Sequence, residues 1–367
     1  GEATPSTDPA DSRRTVGTVE FAVGETARAA VDAAAAAFPA WDRTPAAKRA
    51  TILARAADLF EANAPELLGL CIREAGKNLP DSVAELREAV DFLRYYGARA
   101  VADFGSARLL PGPTGERNEL SRHGRGVFFC VSPWNFPLAI FTGQVAAALA
   151  AGNSVVAKPA EVTPLSALAL AELAVEAGLP PGVFNVTTGR GTEAGETLVA
   201  HPLVRKVSFT GSTGVGSSVM QRAAAGITRV SLELGGKSAG VVFADADLDA
   251  CIESSVWAVY DNAGQDCCAR SRILVEREVF DEFVDRFASR AGTIVVGDTA
   301  ADTTQMGPLI TAEHRERVER YLEIGTSEGA SLVCGGERLP GAGSFLTPAV
   351  LVDATPRMRV MQEEIFG

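Results

Sequence analysis

Histidine is scarce in this chain of 367 residues: there are three, at 123, 201 and 314. They are too dispersed to supply clustered metal ligands, so they read as surface or loop residues and no metal is expected. Positive charge is also short. Lys and Arg number 34 against 46 Asp and Glu, a net charge of −12, which excludes the basic surface that a nucleic-acid partner needs. No apolar run reaches membrane-spanning length; the small-residue stretch at 145–151 is too short, and no membrane partner is expected. The first residues, GEATPSTDPADSRR, carry no secretory signal. There is no repeat of fixed period and no low-complexity segment. The six cysteines (71, 130, 251, 267, 268 and 334) are scattered, which fits a reducing compartment and a cytoplasmic protein. The adjacent pair 267 and 268 is poorly placed to form a disulfide with itself.

What the chain does have is core: 47% of residues are hydrophobic and 22% charged, enough for two or more domains. A strand-like GTVEFAV follows the polar start, and 26–103 reads as helices. Thr44-Pro45 has the form of an N-cap with a first-turn proline, and Asp81 or Ser82 is expected to open a further helix. A Gly/Pro turn between short runs predicts a projecting hairpin at 106–124. From 125 to 233 strands (127–131, 154–157, 183–187, 206–209, 229–232) alternate with helical segments (138–151, 164–177, 193–200, 215–225). That alternation predicts a parallel, doubly wound sheet, which binds ligands at the carboxyl ends of its strands. A second α/β series starts at 238, with strands near 239–243 and 271–275. The last residues, Gln362-Glu363-Glu364-Ile365-Phe366-Gly367, cut an apolar element without a cap and suggest part of a longer chain.

The chemistry concentrates in two runs. Asn262-Ala263-Gly264-Gln265-Asp266-Cys267-Cys268 offers a thiol just after a helix-to-loop break. Leu232-Glu233-Leu234-Gly235-Gly236-Lys237 offers a carboxylate base and a Gly-Gly turn. A thiolate that attacks a carbonyl needs both a nucleophile and a group to activate it or water. Each residue alone also has a plain reading: a buried inert cysteine, a solvated strand-end glutamate.

Taken in order, the motifs resemble the NAD(P)-dependent aldehyde dehydrogenase superfamily. They are Phe129-Cys130-Val131-Ser132-Pro133-Trp134-Asn135-Phe136-Pro137, Ala157-Lys158-Pro159-Ala160-Glu161, Phe209-Thr210-Gly211-Ser212, the run from Leu232 to Lys237, Gly264-Gln265-Asp266-Cys267 and the final five residues. Further runs, including Arg73-Glu74-Ala75-Gly76-Lys77 and Ile140-Phe141-Thr142-Gly143-Gln144, resemble the L-glutamate γ-semialdehyde dehydrogenase module of bifunctional proline-utilisation proteins. Such modules usually carry Ser where this chain has Cys268, and their later segment, which anchors the substrate carboxylate and closes the oligomer, has no counterpart here.

The resemblance implies an aldehyde dehydrogenase fold: a Rossmann-like cofactor domain (1–105 and 125–233), an oligomerisation hairpin (106–124) and a catalytic α/β domain (234–367). It implies NAD-dependent oxidation of a small aldehyde, L-glutamate γ-semialdehyde to L-glutamate in proline catabolism, by a homodimer or larger homo-oligomer. Cys267 corresponds to the nucleophile, Glu233 to the base that activates water, and Asn135 to the oxyanion donor, a residue that could otherwise be a turn-capping Asn. Ser132, Pro133, Trp134, Lys158, Glu161, Gly191, Phe209, Gly211, Ser212, Val215, Leu234, Glu364 and Phe366 correspond to cofactor-binding positions. Within that set Lys158 and Glu161 address the adenosine ribose, Ser212 the pyrophosphate, Gly191 (with Gly189) the adenine side, and Glu364 and Phe366 the nicotinamide ribose and ring. A carboxylate at 161 would repel a 2′-phosphate, so NAD is expected over NADP. The second half resembles a general aldehyde dehydrogenase, so a general aliphatic or semialdehyde dehydrogenase of the same fold is an alternative, as are an acyl transfer to CoA, a silent fragment or scaffold and a simple cofactor-binding module.

Overall fold

The computed structural model describes residues 3–367. The chain divides into two compact units. The first contains the described residues up to Ser6, Gly17–Leu70 and Val83–Glu233; the second contains Thr7–Val16, Cys71–Ser82 and Leu234–Gly367. Two short segments of 1–105 therefore cluster with the second unit, not with the first, where they were expected. Polar bonds explain this. Asp8 pairs with Arg14 at 2.6 Å and with Arg73 at 3.4 Å, Arg73 also reaches Asp298 at 3.4 Å, and the Asn78 amide donates to the Gln305 carbonyl at 2.7 Å.

Strands β1 (Ala3–Asp8) and β2 (Asp11–Glu20) pair, and β3 (Arg108–Leu110) and β4 (Asn118–Leu120) form the antiparallel hairpin expected at 106–124. Leu109 and Leu120 on that hairpin are exposed. The first unit is built on five strands: β5 (Val127–Val131), β6 (Ser154–Lys158), β7 (Phe184–Val186), β8 (Val204–Gly211) and β9 (Arg229–Leu234). Their order is β7-β6-β5-β8-β9, with β6 and β8 parallel to β5 and β7 parallel to β6. Continuous apolar runs such as VFFCV and SVVAK suit strands covered on both faces. The helices Gly24–Arg43 and Ala139–Ala150 pack on β6, and Thr213–Ala225 packs on β8. Trp41, 1% exposed, anchors the first of these by donating its indole N–H to the Leu149 carbonyl at 3.0 Å.

Two helix boundaries differ from the sequence expectation. Thr44 closes helix Gly24–Arg43, its hydroxyl donating back to the Ala40 carbonyl at 3.0 Å. Pro45, not Thr44, is the N-cap of Ala46–Ala62. The long helix Leu79–Phe104 begins ahead of Asp81, because the Asn78 side-chain oxygen accepts from the Asp81 N–H at 2.8 Å.

In the second unit β10 (Ala239–Val242) and β11 (Arg272–Val275) pair in parallel, joined through helix Leu248–Tyr260. Helices Phe280–Ala291 and Ala312–Ser327 and the antiparallel pair β12 (Ser331–Cys334) and β13 (Val350–Val352) complete it. Val256, Tyr260, Phe283, Phe287 and Val318 form its core, with Phe283 and Phe287 stacked at 5.6 Å. No helix among the described residues is long and apolar enough to cross a membrane.

Candidate active site

The strand order places the reversal of the first sheet between β5 and β8. In open α/β sheets ligands bind outside the carboxyl ends of the strands at that point. Those ends carry Val131-Ser132-Pro133-Trp134-Asn135 after β5 and Gly211-Ser212 after β8. Gln144 ties them together: its amide donates to the Val131 carbonyl at 3.3 Å and the Thr210 hydroxyl at 2.8 Å, and accepts from the Ser132 hydroxyl at 3.1 Å. Gln144 stood in a quoted motif without a role; the missing signal was a partner 66 residues away.

Asn135 is 4% exposed, on the bend between β5 and helix Ala139–Ala150. A carboxylate from afar secures that bend. Glu85, itself 1% exposed, accepts from the Leu138 and Ala139 N–H groups at 3.2 and 2.8 Å, so two N–H groups at the start of the helix gain an acceptor. Sequence reasoning missed Glu85, which belongs to a different helix.

Ser212 is the N-cap of Thr213–Ala225, its oxygen accepting from the Val215 N–H at 3.4 Å. The first-turn N–H groups at Thr213 and Gly214 have no intrahelical acceptor and lie on exposed residues, a ready anion site. Val215 is exposed on that turn, while Phe209 is buried beneath it. A Cβ at Gly211 would stand 2.8 Å from the Phe209 ring, so glycine lets the ring fold under the turn.

Lys158 ends β6 and is 4% exposed; its ammonium donates to the carbonyls of Pro159 and Gly189 at 2.8 Å each. Those bonds use two of its three N–H groups. Burial lowers its pKa to about 8, and the Glu161 carboxylate partly offsets that. Glu161 and Gly191 are exposed, and Gly191 opens a short π-helical turn, Gly191–Gly195, where an ordinary helix was expected. A buried ammonium, an open helix N-terminus and a switch-point crevice in one unit form a donor set that fits a pyrophosphate-bearing dinucleotide.

Glu233 is exposed near the end of β9, where burial alternates residue by residue and puts Arg229, Ser231 and Glu233 on one face. Leu234 is half-buried and begins the second unit. Glu364 is already engaged there: it accepts from the Gly236 N–H at 3.3 Å, and a Cβ on Gly235 would collide with its carboxylate. Phe366 has a left-handed backbone (φ 70°), and its carbonyl accepts from the His314 ring at 2.6 Å. His314 is thus a half-buried helix residue rather than a loop histidine, and burial lowers its pKa.

Cys267 follows a turn of unusual backbone. Asn262, Ala263 and Gly264 all have positive φ, at 53°, 56° and 73°. The turn is held by reciprocal bonds: the Asn262 amide donates to the Gln265 carbonyl and the Gln265 amide to the Asn262 carbonyl, both at 3.0 Å. Gln265 also accepts from the Ile310 N–H at 2.9 Å. Lys77, 2% exposed, donates to the Asn262 side-chain oxygen at 3.0 Å, which gives the Arg73–Lys77 run a structural role. Lys77 also offsets Asp81, whose pKa burial raises. Lys77→Met is therefore expected to cost about 2 kcal/mol, because the Asn262 side-chain oxygen would lose a charged donor inside the fold. Urea unfolding checks this; an unshifted midpoint would show that the bond to Asn262 contributes nothing.

The Cys267 thiol is half-buried, 3.8 Å from the Cys268 sulfur. Burial, then Cys268 and Asp266, push its pKa up to about 12. Asp266 and Asp81 in turn, after burial, raise Asp261 to about 6. The thiol's own surroundings thus favour its protonated form.

The sequence profile of the aldehyde dehydrogenase family matches residues 1–367. The chain is 39% identical over 368 residues to the succinate-semialdehyde dehydrogenase [NADP(+)] GabD of Escherichia coli, covering 100% of this chain and 76% of that protein. It is 40% identical over 368 residues to a 1-pyrroline-5-carboxylate dehydrogenase of Geobacillus thermodenitrificans, covering 99% and 71%. Betaine aldehyde dehydrogenase from Staphylococcus aureus, solved in complex with NAD+, superposes with a TM-score of 0.96 at 33% identity, covering 100% of this chain and 73% of that one. The chain belongs to the aldehyde dehydrogenase family and is an NAD(P)-dependent aldehyde oxidoreductase.

Proposed function

We propose that this chain oxidises L-glutamate γ-semialdehyde to L-glutamate with NAD, through a covalent intermediate on Cys267. The observation that carries the reading is the bonded left-handed turn ahead of Cys267, which sets a half-buried thiol at a defined place. The Cys267 thiol gives its proton to water, its sulfur adds to the aldehyde carbon, and the carbonyl electron pair moves to the oxygen. Asn135, fixed on a buried bend, and the Cys267 backbone N–H donate to that oxygen. When bound, the oxidised nicotinamide supplies a hydride acceptor and a positive charge. Loss of hydride leaves a thioester on Cys267. Glu233 takes a proton from water, which adds to the thioester carbon; the carboxylic acid leaves and the Cys267 sulfur is free again.

For the cofactor, the Ser212 helix N-terminus holds the pyrophosphate. Lys158 and the exposed Glu161 hold the adenosine ribose, with Gly191 beside the adenine. Ser132, Pro133, Trp134, Phe209, Gly211, Val215 and Leu234 line the remaining surface, and Glu364 and Phe366 address the nicotinamide end. The Glu161 carboxylate favours NAD, since a 2′-phosphate would meet its negative charge. A homo-oligomer fits the exposed leucines of the β3–β4 hairpin, since a two-stranded ribbon is marginal alone.

The named relatives support two acidic semialdehydes, so succinate semialdehyde is the second reading. Both substrates carry a carboxylate. Initial rates of NADH formation across L-glutamate γ-semialdehyde, succinate semialdehyde and uncharged aldehydes of similar length separate them. The expected result is a kcat/KM for the glutamate semialdehyde about tenfold or more above the others, with NAD preferred to NADP. A preference for succinate semialdehyde would shift the assignment, and a preference for uncharged aldehydes would sink both.

A further inference from the structure

We infer that Asp266, Cys267 and Cys268 form a chelating site for a thiophilic divalent cation such as cadmium or zinc. One carboxylate oxygen and the two sulfurs lie within 4.8 Å of one another. The sulfurs are 3.8 Å apart. Two thiolates bound tetrahedrally to zinc at about 2.3 Å stand about 3.8 Å from each other, so the pair is already spaced as two ligands of one ion. Cys268 is exposed, which opens a route from solvent. Asp261 lies close enough to Asp266 for their charges to interact, and it adds acidic character at this end of the second unit. None of the three histidines takes part; the donors are soft sulfur with one hard oxygen, the set that selects such metals.

Binding releases both thiol protons to solvent, forms two metal–sulfur bonds and one metal–oxygen bond, and leaves the fourth position to water. No oxidant is consumed, and a chelator reverses the reaction. The inhibitory consequence rests on the reading of Cys267 as nucleophile, because a metal-bound sulfur cannot add to an aldehyde. Cys268 has no part in that chemistry, so its role here is separable.

The test is a cadmium titration of the full chain, following sulfur-to-cadmium charge-transfer absorption and, in parallel, aldehyde oxidation. Wild type is expected to show the absorption in step with loss of activity, both reversed by a chelator. Cys268→Ser should keep its metal-free activity, while its cadmium affinity falls roughly 10²-fold, since the second sulfur no longer acts at a high effective concentration. Equal cadmium affinity in wild type and Cys268→Ser would overturn the site. A Cys268-dependent absorption with aldehyde oxidation intact at full occupancy would sustain the site and overturn Cys267 as nucleophile.

Discussion

Cys267→Ala is expected to lower aldehyde oxidation by more than about 10⁴-fold while leaving cofactor binding in place. The size of the loss follows from what the sulfur does. In the mechanism proposed above it forms the bond that turns a difficult direct oxidation into two easier steps, with no neighbour placed to substitute. Cys268 is next in sequence but exposed, and it lies outside the Asn262–Gln265 bonds that set the position of Cys267. The lining of the crevice in the first unit is untouched by the change, so titration of NAD should still quench tryptophan fluorescence to the same extent. Turnover within tenfold of wild type would exclude a covalent intermediate at this position. A parallel loss of cofactor binding would mean that the variant has lost its fold, which circular dichroism would reveal.

Glu233→Gln should behave differently, and the difference is diagnostic. With the carboxylate gone, water attack on the thioester slows by about 10²–10⁴-fold, the usual contribution of a positioned base. Bond formation at Cys267 and the first oxidation should proceed. Rapid mixing is then expected to give a burst approaching one NADH per chain, followed by a slow steady state. Glu233 suits this role because the alternation along β9 leaves it exposed, where water can reach it. Loss of the burst along with the steady state would place Glu233 in the first half of the reaction. A wild-type steady state would remove it from the mechanism altogether. An acyl transfer to CoA makes the contrary forecast, since that route needs no water-activating base.

The parallel sheet was legible because its strands are covered on both faces. A run such as Val127–Val131 is apolar throughout, and the expected and observed bounds agree. Helix Pro164–Glu176 was legible from its first-turn proline. What the sequence did not reveal was set by partners distant along the chain. Glu85 against the helix at Ala139, Lys77 against Asn262 and Glu364 against Gly236 are separated by 54, 185 and 128 residues. No local pattern records such a pairing. The same holds for Thr7–Val16 and Cys71–Ser82, which read as part of the first unit but are drawn to the second by Asp8, Arg73 and Asn78. The candidate nucleophile could be picked out by residue type, but the electronegative setting of its thiol could not, because Asp266 and Cys268 act through distances and burial that only folding defines.

The left-handed run at Asn262, Ala263 and Gly264 has a meaning for anyone who would make this protein hardier. Alanine at a positive φ holds its backbone in a region that costs about 1 kcal/mol, but glycine at 263 would remove a buried methyl from the core and loosen the unfolded chain, which offsets that relief. Gly264 admits no such trade, because a Cβ would stand 2.8 Å from the Gly367 carbonyl carbon. Position 263 is thus a place where glycine brings no net gain in heat resistance, while added backbone freedom would blur the aim of the sulfur four residues later. A screen for melting temperature alone would pass over that change, and a screen for turnover would discard it.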